Sequence, residues 1–163
     1  LYPLPWLLLP LAVAVALTQG WRLWHWYHPH IWRIPILWVL FTGMGWFLVG
    51  FILKGLALAG WFADSLATHA LTMGAIGVTT LGMMARVALG HTGRELKPAR
   101  LVEVGFVLLN LAVAMRVFAP AMAPERYSLW IGSSGGLWLL CFGLFALYYL
   151  PILLKPRIDG RPG

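Results

Sequence analysis

Ile34-Pro-Ile-Leu-Trp-Val-Leu-Phe-Thr-Gly-Met-Gly-Trp-Phe-Leu-Val-Gly-Phe-Ile-Leu-Lys54 carries a single charge, at its last residue. About 20 mainly apolar residues in a helix cross the hydrocarbon core of a bilayer. Lipid offers no partner for backbone N–H and C=O groups, so such a stretch must satisfy them within itself, as a helix does. Four more stretches have the same character: 4–19, 66–90, 101–118 and 129–150. The composition agrees. Hydrophobic residues make up 61% of the 163 and charged residues 10%, against roughly 45–50% and 25% in soluble domains. A chain this size could not hide so much apolar surface in water. Disorder and a coiled coil are excluded by the same figures, and a disulfide scaffold by the single Cys. The sequence predicts an all-α integral membrane protein, one bundle of about five transmembrane helices.

Nothing divides the chain: there is no Gly/Ser linker, charged tail or internal repeat, so 1–163 reads as one transmembrane domain. The first stretch is short and opens at Leu1, which reads as a processed or missing start. A signal peptide is the rival reading of that apolar run, although no basic residue precedes it. The net charge of +7 is an orientation signal here, not a mark of nucleic-acid binding. Five crossings put Arg22, Arg33, Arg94, Lys97, Arg100, Lys155, Arg157 and Arg161 on one side. Lys54, Arg126 and Arg116 fall toward the other. The basic side is expected to be cytoplasmic, with the N-terminus outside and the C-terminus inside, in a bacterial inner membrane. Ten Trp and five Tyr suit the interfacial belts of such a protein.

The third span carries most of the chemistry. Asp64 or Ser65 is a natural N-cap for it. Ala70, Gly74, Gly77 and Gly82 let another helix, or a flat ligand, approach its backbone. His69 and His91 bracket it, roughly 33 Å apart at the rise of a helix, so they cannot share one metal. His91 lies at the bilayer level of His25, His28 and His30, with Arg22, Arg33, Arg94 and Arg100. Imidazoles flanked by guanidinium groups suit haem b, which needs axial nitrogens and cations for its propionates. The same imidazoles suit copper. The plainer alternative is that these groups anchor helices among headgroups.

His69 is expected one turn inside the opposite face, pointing into the bundle or toward a partner chain, because an ionisable group facing lipid is costly. Met73 shares its helix face. No other His of the chain reaches that side, so a haem held there would be open to a gas or would need a ligand from elsewhere. Arg86 and Arg116 could pair with propionates, with Glu103 or with helix-end carbonyls. Asn110 reads as an interhelical hydrogen bond, Cys141 as core, and Met44, Met73, Met83, Met84, Met115 and Met122 mostly as packing. No dinucleotide or phosphate loop, zinc-protease motif or serine elbow occurs. Two Asp and three Glu leave little for paired carboxylates, so no catalytic motif is evident.

His69-Ala-Leu-Thr-Met-Gly-Ala-Ile-Gly77, then Arg86 and Leu89-Gly-His-Thr-Gly-Arg94, resembles the central signature of the NnrS family. The ending Tyr149-Leu-Pro-Ile-Leu-Leu-Lys-Pro-Arg-Ile-Asp-Gly-Arg-Pro-Gly163 and the segment Arg116-Val-Phe-Ala-Pro120 resemble it too. The resemblance implies a multi-span inner-membrane protein that binds haem and copper and acts in the response to nitric oxide. It implies roles for His69, Arg86, His91 and Arg94, and a chain that is the C-terminal portion of a longer protein or a short form. Phe41 stands where the family usually has a His. Three functions follow as expectations. The first is a haem-binding protein of the nitric oxide response or of membrane redox chemistry. The second is a cofactor-free accessory subunit of a larger respiratory or photosynthetic complex, packed against other membrane subunits. The third is a copper-handling protein using His25, His28 and His30.

Overall fold

The computed structural model describes residues 5–160. Five helices form an up-and-down bundle: α1 (Pro5–Trp26), α2 (Pro35–Leu58), α3 (Asp64–His91), α4 (Arg100–Met122) and α5 (Tyr127–Leu153). All five are long and apolar enough to cross a membrane, and no strand occurs among the described residues. The helices outrun the apolar stretches that mark them. α1 continues to Trp26, because Gln19-Gly-Trp-Arg leaves the hydrocarbon without breaking the helix. Arg22 and His25 therefore lie on a helix and not in a loop.

Local signals explain where the chain turns. Pro35 stands at the start of α2, where its missing N–H costs nothing. α2 ends on Gly60 at φ 80°. Trp61 N–H there reaches Leu56 O at 2.9 Å, and Gly60 N–H reaches Ala57 O at 3.0 Å. α3 ends the same way on Gly93 at φ 74°, with Arg94 N–H on Leu89 O at 2.9 Å and Gly93 N–H on Gly90 O at 3.2 Å. Both are glycine-dependent closures of the last helical turn. The start of α3 differs from expectation. Its cap is Ala63, which makes no side-chain hydrogen bond. The Asp64 carboxylate instead pairs with the Lys54 ammonium at 2.6 Å, which also donates to Thr68 Oγ1 at 2.8 Å. The nearby cation at the end of α2 competes successfully for the carboxylate.

α3 is the most buried span and α1 the least, at 44% and 11% of their apolar windows. α3 touches α2, α4 and α5, whereas α1 packs on α2 alone. Val39, Ala70, Val78, Ala85, Phe106, Val113, Val117 and Cys141 form the closed core. Between Ala70 and Val78 the helix widens into a π-helix of 9 residues. π segments are usually single-turn bulges and are frequent at functional sites. This one lies directly against α2. A methyl group at Gly74 would sit 2.8 Å from Trp46 Cβ, and one at Gly82 2.7 Å from Val39 Cγ1. Gly50 of α2 answers by admitting the side chain of Leu71. The stripe of small residues is therefore a helix–helix contact at Ala70, Gly74 and Gly82, while Gly77 faces only its own helix. Asn110 joins α4 to α2 by accepting from Trp46 Nε1 at 2.8 Å, as its mid-span position predicts.

Candidate functional site

His69 is the last residue before the π segment. The widened turn that follows carries Met73 along the same face, into a cavity of about 330 Å³ between α3, α4 and α5. Arg116, Ser134, Gly135 and Trp138 complete its wall. His69 is half-buried and points into the bundle, as the cost of a lipid-facing imidazole requires. Arg116 Nη2 lies 3.0 Å from His69 Nε2. A guanidinium has only donors, so Nε2 must accept. The imidazole is then neutral, with its proton on Nδ1 and its lone pair on Nε2 directed at Arg116. Arg116 thus takes a partner that sequence reasoning had not paired with it. No ion pair links Glu103 to Arg116 or Arg86 among the described residues.

His91 occupies the other end of α3. It borders a second cavity, of about 410 Å³, with Met83, Arg86, Val87, Leu96 and Arg157. Arg157 comes from the C-terminal tail, which folds back so that Ile158 N–H meets Thr92 O at 3.3 Å. Arg157 donates twice to Asp159, at 2.9 and 2.6 Å, and those bonds raise its pKa above the usual value. The Asp159 carboxylate covers Gly93, where a methyl group would sit 2.8 Å from Asp159 Cγ. Arg94 lies in the same turn, its Nη1 3.5 Å from Thr92 O. The two sequence segments that resembled one family, from His69 to Arg94 and from Tyr149 onward, therefore meet in space. Arg157 was read from the sequence only as an orientation charge, and the quoted tail was the sole signal for its place here.

The remaining histidines stay apart from His91. His25 is on α1, and His28 and His30 are on the turn Pro29–Arg33 and its cap. Both elements pack on α2 and neither touches α3. A shared bilayer level did not bring them together because α2 stands between. His25 Nδ1 lies 2.9 Å from Trp21 O, to which it donates, and His28 Nδ1 accepts from His30 N–H at 3.2 Å. Local structure thus engages these nitrogens. No three His, Cys, Asp or Glu side chains converge as a metal site among the described residues. Phe41 is packed by Tyr27 and Trp32, each with its ring 6.1 Å away.

A family model described as NnrS protein matches residues 1–157. No curated protein and no solved structure matches the chain. The match takes in all five spans, the His69–Arg116 pair and the cavity beside His91. The chain belongs to the NnrS family, and its five long apolar helices make it a multi-pass membrane protein of that family.

Proposed function

We propose that this chain is a haem-binding inner-membrane protein of the nitric oxide response, with His69 as the ligand it offers. One observation carries the reading: a neutral imidazole at the wall of a cavity, its Nε2 lone pair held by a single guanidinium. Family membership supports the nitric oxide connection. The donor set suits haem. Neutral imidazole is the form that binds a metal, and a guanidinium is the natural partner of a propionate. Ser134 and Gly135 leave room on α5, while Met73 and Trp138 supply apolar walls. The cavity is at the lower end of ligand-site volumes, so this chain would enclose only part of a macrocycle.

Haem, when bound, supplies an iron that takes up a diatomic gas. The protein's own residues do the rest. His69 would offer its Nε2 lone pair to the iron, Arg116 would hold an anionic edge of the group, and Met73 and Trp138 would wall the site. The basic loops at the His91 end support placing that end in the cytoplasm. A copper centre has less support, since the three histidines proposed for it form no cluster.

The test is the visible spectrum of the purified protein, followed by carbon monoxide difference spectra of wild type, His69→Ala and His91→Ala. A Soret band that responds to carbon monoxide and is lost in His69→Ala is expected. Loss only in His91→Ala would move the ligand to the other end. A preparation with no haem would leave the cofactor-free subunit, packed against other membrane subunits, as the better reading.

A further inference from the structure

At the His91 end, an arginine inside a membrane helix has no partner among the described residues. Arg86 lies a turn and a half before the end of α3, is exposed, and makes no hydrogen bond or ion pair among the described residues. His91 is likewise unpaired there. A guanidinium this near a helix end reaches out to the headgroup level, where lipid phosphates are its natural partners. Arg157 faces the same cavity. It spends two of its five donors on Asp159, which leaves three. The other walls are apolar: Met83, Val87 and Leu96.

We propose that this cavity binds the phosphate of an anionic phospholipid, with Arg86 and Arg157 on the headgroup and Met83, Val87 and Leu96 along the first part of an acyl chain. Charge and polarity together point to lipid. A free anion has no use for the apolar walls, and a zwitterionic lipid brings beside its phosphate an ammonium that the unpaired Arg86 would repel. The level is also right. The site shares its end of the bundle with the exposed aromatic belt Trp21–Trp32 and with Arg22, Arg33 and Arg100, where phosphates of a bilayer lie. Gly93 has a part in building it, because the missing Cβ admits Asp159 and so docks the tail that delivers Arg157. The site is separate from His69 and does not depend on haem being bound there.

The experiment uses the full chain, delipidated in detergent, with native mass spectrometry as the readout. Phosphatidylglycerol, phosphatidylcholine of the same acyl chains, and inorganic phosphate are added separately. Phosphatidylglycerol should bind about five-fold better than phosphatidylcholine, the effect of the one unpaired arginine near a membrane surface, because Asp159 already offsets the charge of Arg157. Arg86→Gln should abolish that preference, Arg86→Lys should keep most of it, and Arg126→Gln at the far end should leave it intact. Equal binding of the two lipids would overturn the proposal. So would a preference that survives Arg86→Gln, or one lost as fully in Arg86→Lys. Displacement of phosphatidylglycerol by an equal concentration of inorganic phosphate would make this a free-anion site. Loss of a haem spectrum in Arg86→Gln would assign the arginine to haem instead.

Discussion

Gly74→Ala probes the contact on which the π segment rests. The new Cβ would sit 2.8 Å from both Trp46 Cβ and Cγ, and 3.1 Å from Cδ2. Carbon atoms in good contact stand about 3.5–4.0 Å apart, so α2 and α3 must separate by roughly 0.7 Å or the indole must move. The indole is held. Its Nε1 donates to Asn110 Oδ1 at 2.8 Å, and Asn110 Nδ2 donates to Phe106 O at 2.9 Å. Overpacking of this kind costs about 1–3 kcal/mol. Breaking an interhelical hydrogen bond in a membrane adds about 0.6 kcal/mol. Alanine recovers up to about 1 kcal/mol through its better helix propensity. The net expectation is a loss of about 1–3 kcal/mol, a fall in melting temperature of roughly 2–10 °C for a chain of this size. The assay is thermal unfolding in detergent, followed by loss of the monodisperse peak. Trp46→Ala supplies the second arm of a double-mutant cycle. In that background Gly74→Ala should cost nothing or stabilise slightly. Equal cost in both backgrounds, or no cost in the wild type, would refute the contact as the reason for glycine.

Other positions give equally concrete outcomes. In cofactor-free protein, nitrogen NMR of His69 should show Nδ1 protonated and Nε2 bare, and Arg116→Leu should relax that preference; a protonated Nε2 in the wild type would refute the pairing. Gly93→Ala should cost about 1–2 kcal/mol for its positive φ alone, and it should also loosen the tail. Trypsin cleavage after Arg157 should then speed up, and an unchanged digestion rate would mean that Asp159 does not cover the turn. Lys54→Met should change stability by less than about 1 kcal/mol, because its partner Asp64 is 69% exposed and such pairs contribute little. A loss above about 2 kcal/mol would show that the pair, with Thr68, fixes the entry to α3.

The five crossings were legible because each is a run of apolar residues of bilayer length, and that signal needs no knowledge of what packs on what. The same was true of Asn110 and Cys141, each placed by polarity and depth alone. Partner choice was less legible. Nothing in the residue string marks 70–78 as a π-helix, for its glycines and Thr72 read equally well as an ordinary helix. Nor does periodicity tell that Arg116 meets His69, since that depends on which helix lies beside α3. The grouping of His25, His28 and His30 with His91 rested on depth in the same way. Depth in the membrane is a one-dimensional coordinate, and helix order around the bundle is not contained in it.

That distinction bears on how α3 divides its work. One helix carries an imidazole near each end, yet the two environments are opposite in kind. His69 is half-buried, faces a guanidinium donor and gives its lone pair to it, which is the protonation state of a metal ligand held in reserve. His91 is exposed, lies beside two guanidiniums and is bonded to neither, in a cavity open at the level of the headgroups. The unpaired Arg86 beside the imidazole attracts an anion before it favours a metal cation, while the charge of Arg157 is already offset by Asp159. The two environments are therefore those expected of the two proposals, haem at the His69 end and a lipid phosphate at the His91 end. The π segment adjoins His69 and lies between it and His91, packed closely on α2. A widened helix at that point turns Met73 into the His69 cavity, while Gly74 sits against Trp46. The same nine residues thus shape the candidate site and lock it to the bundle.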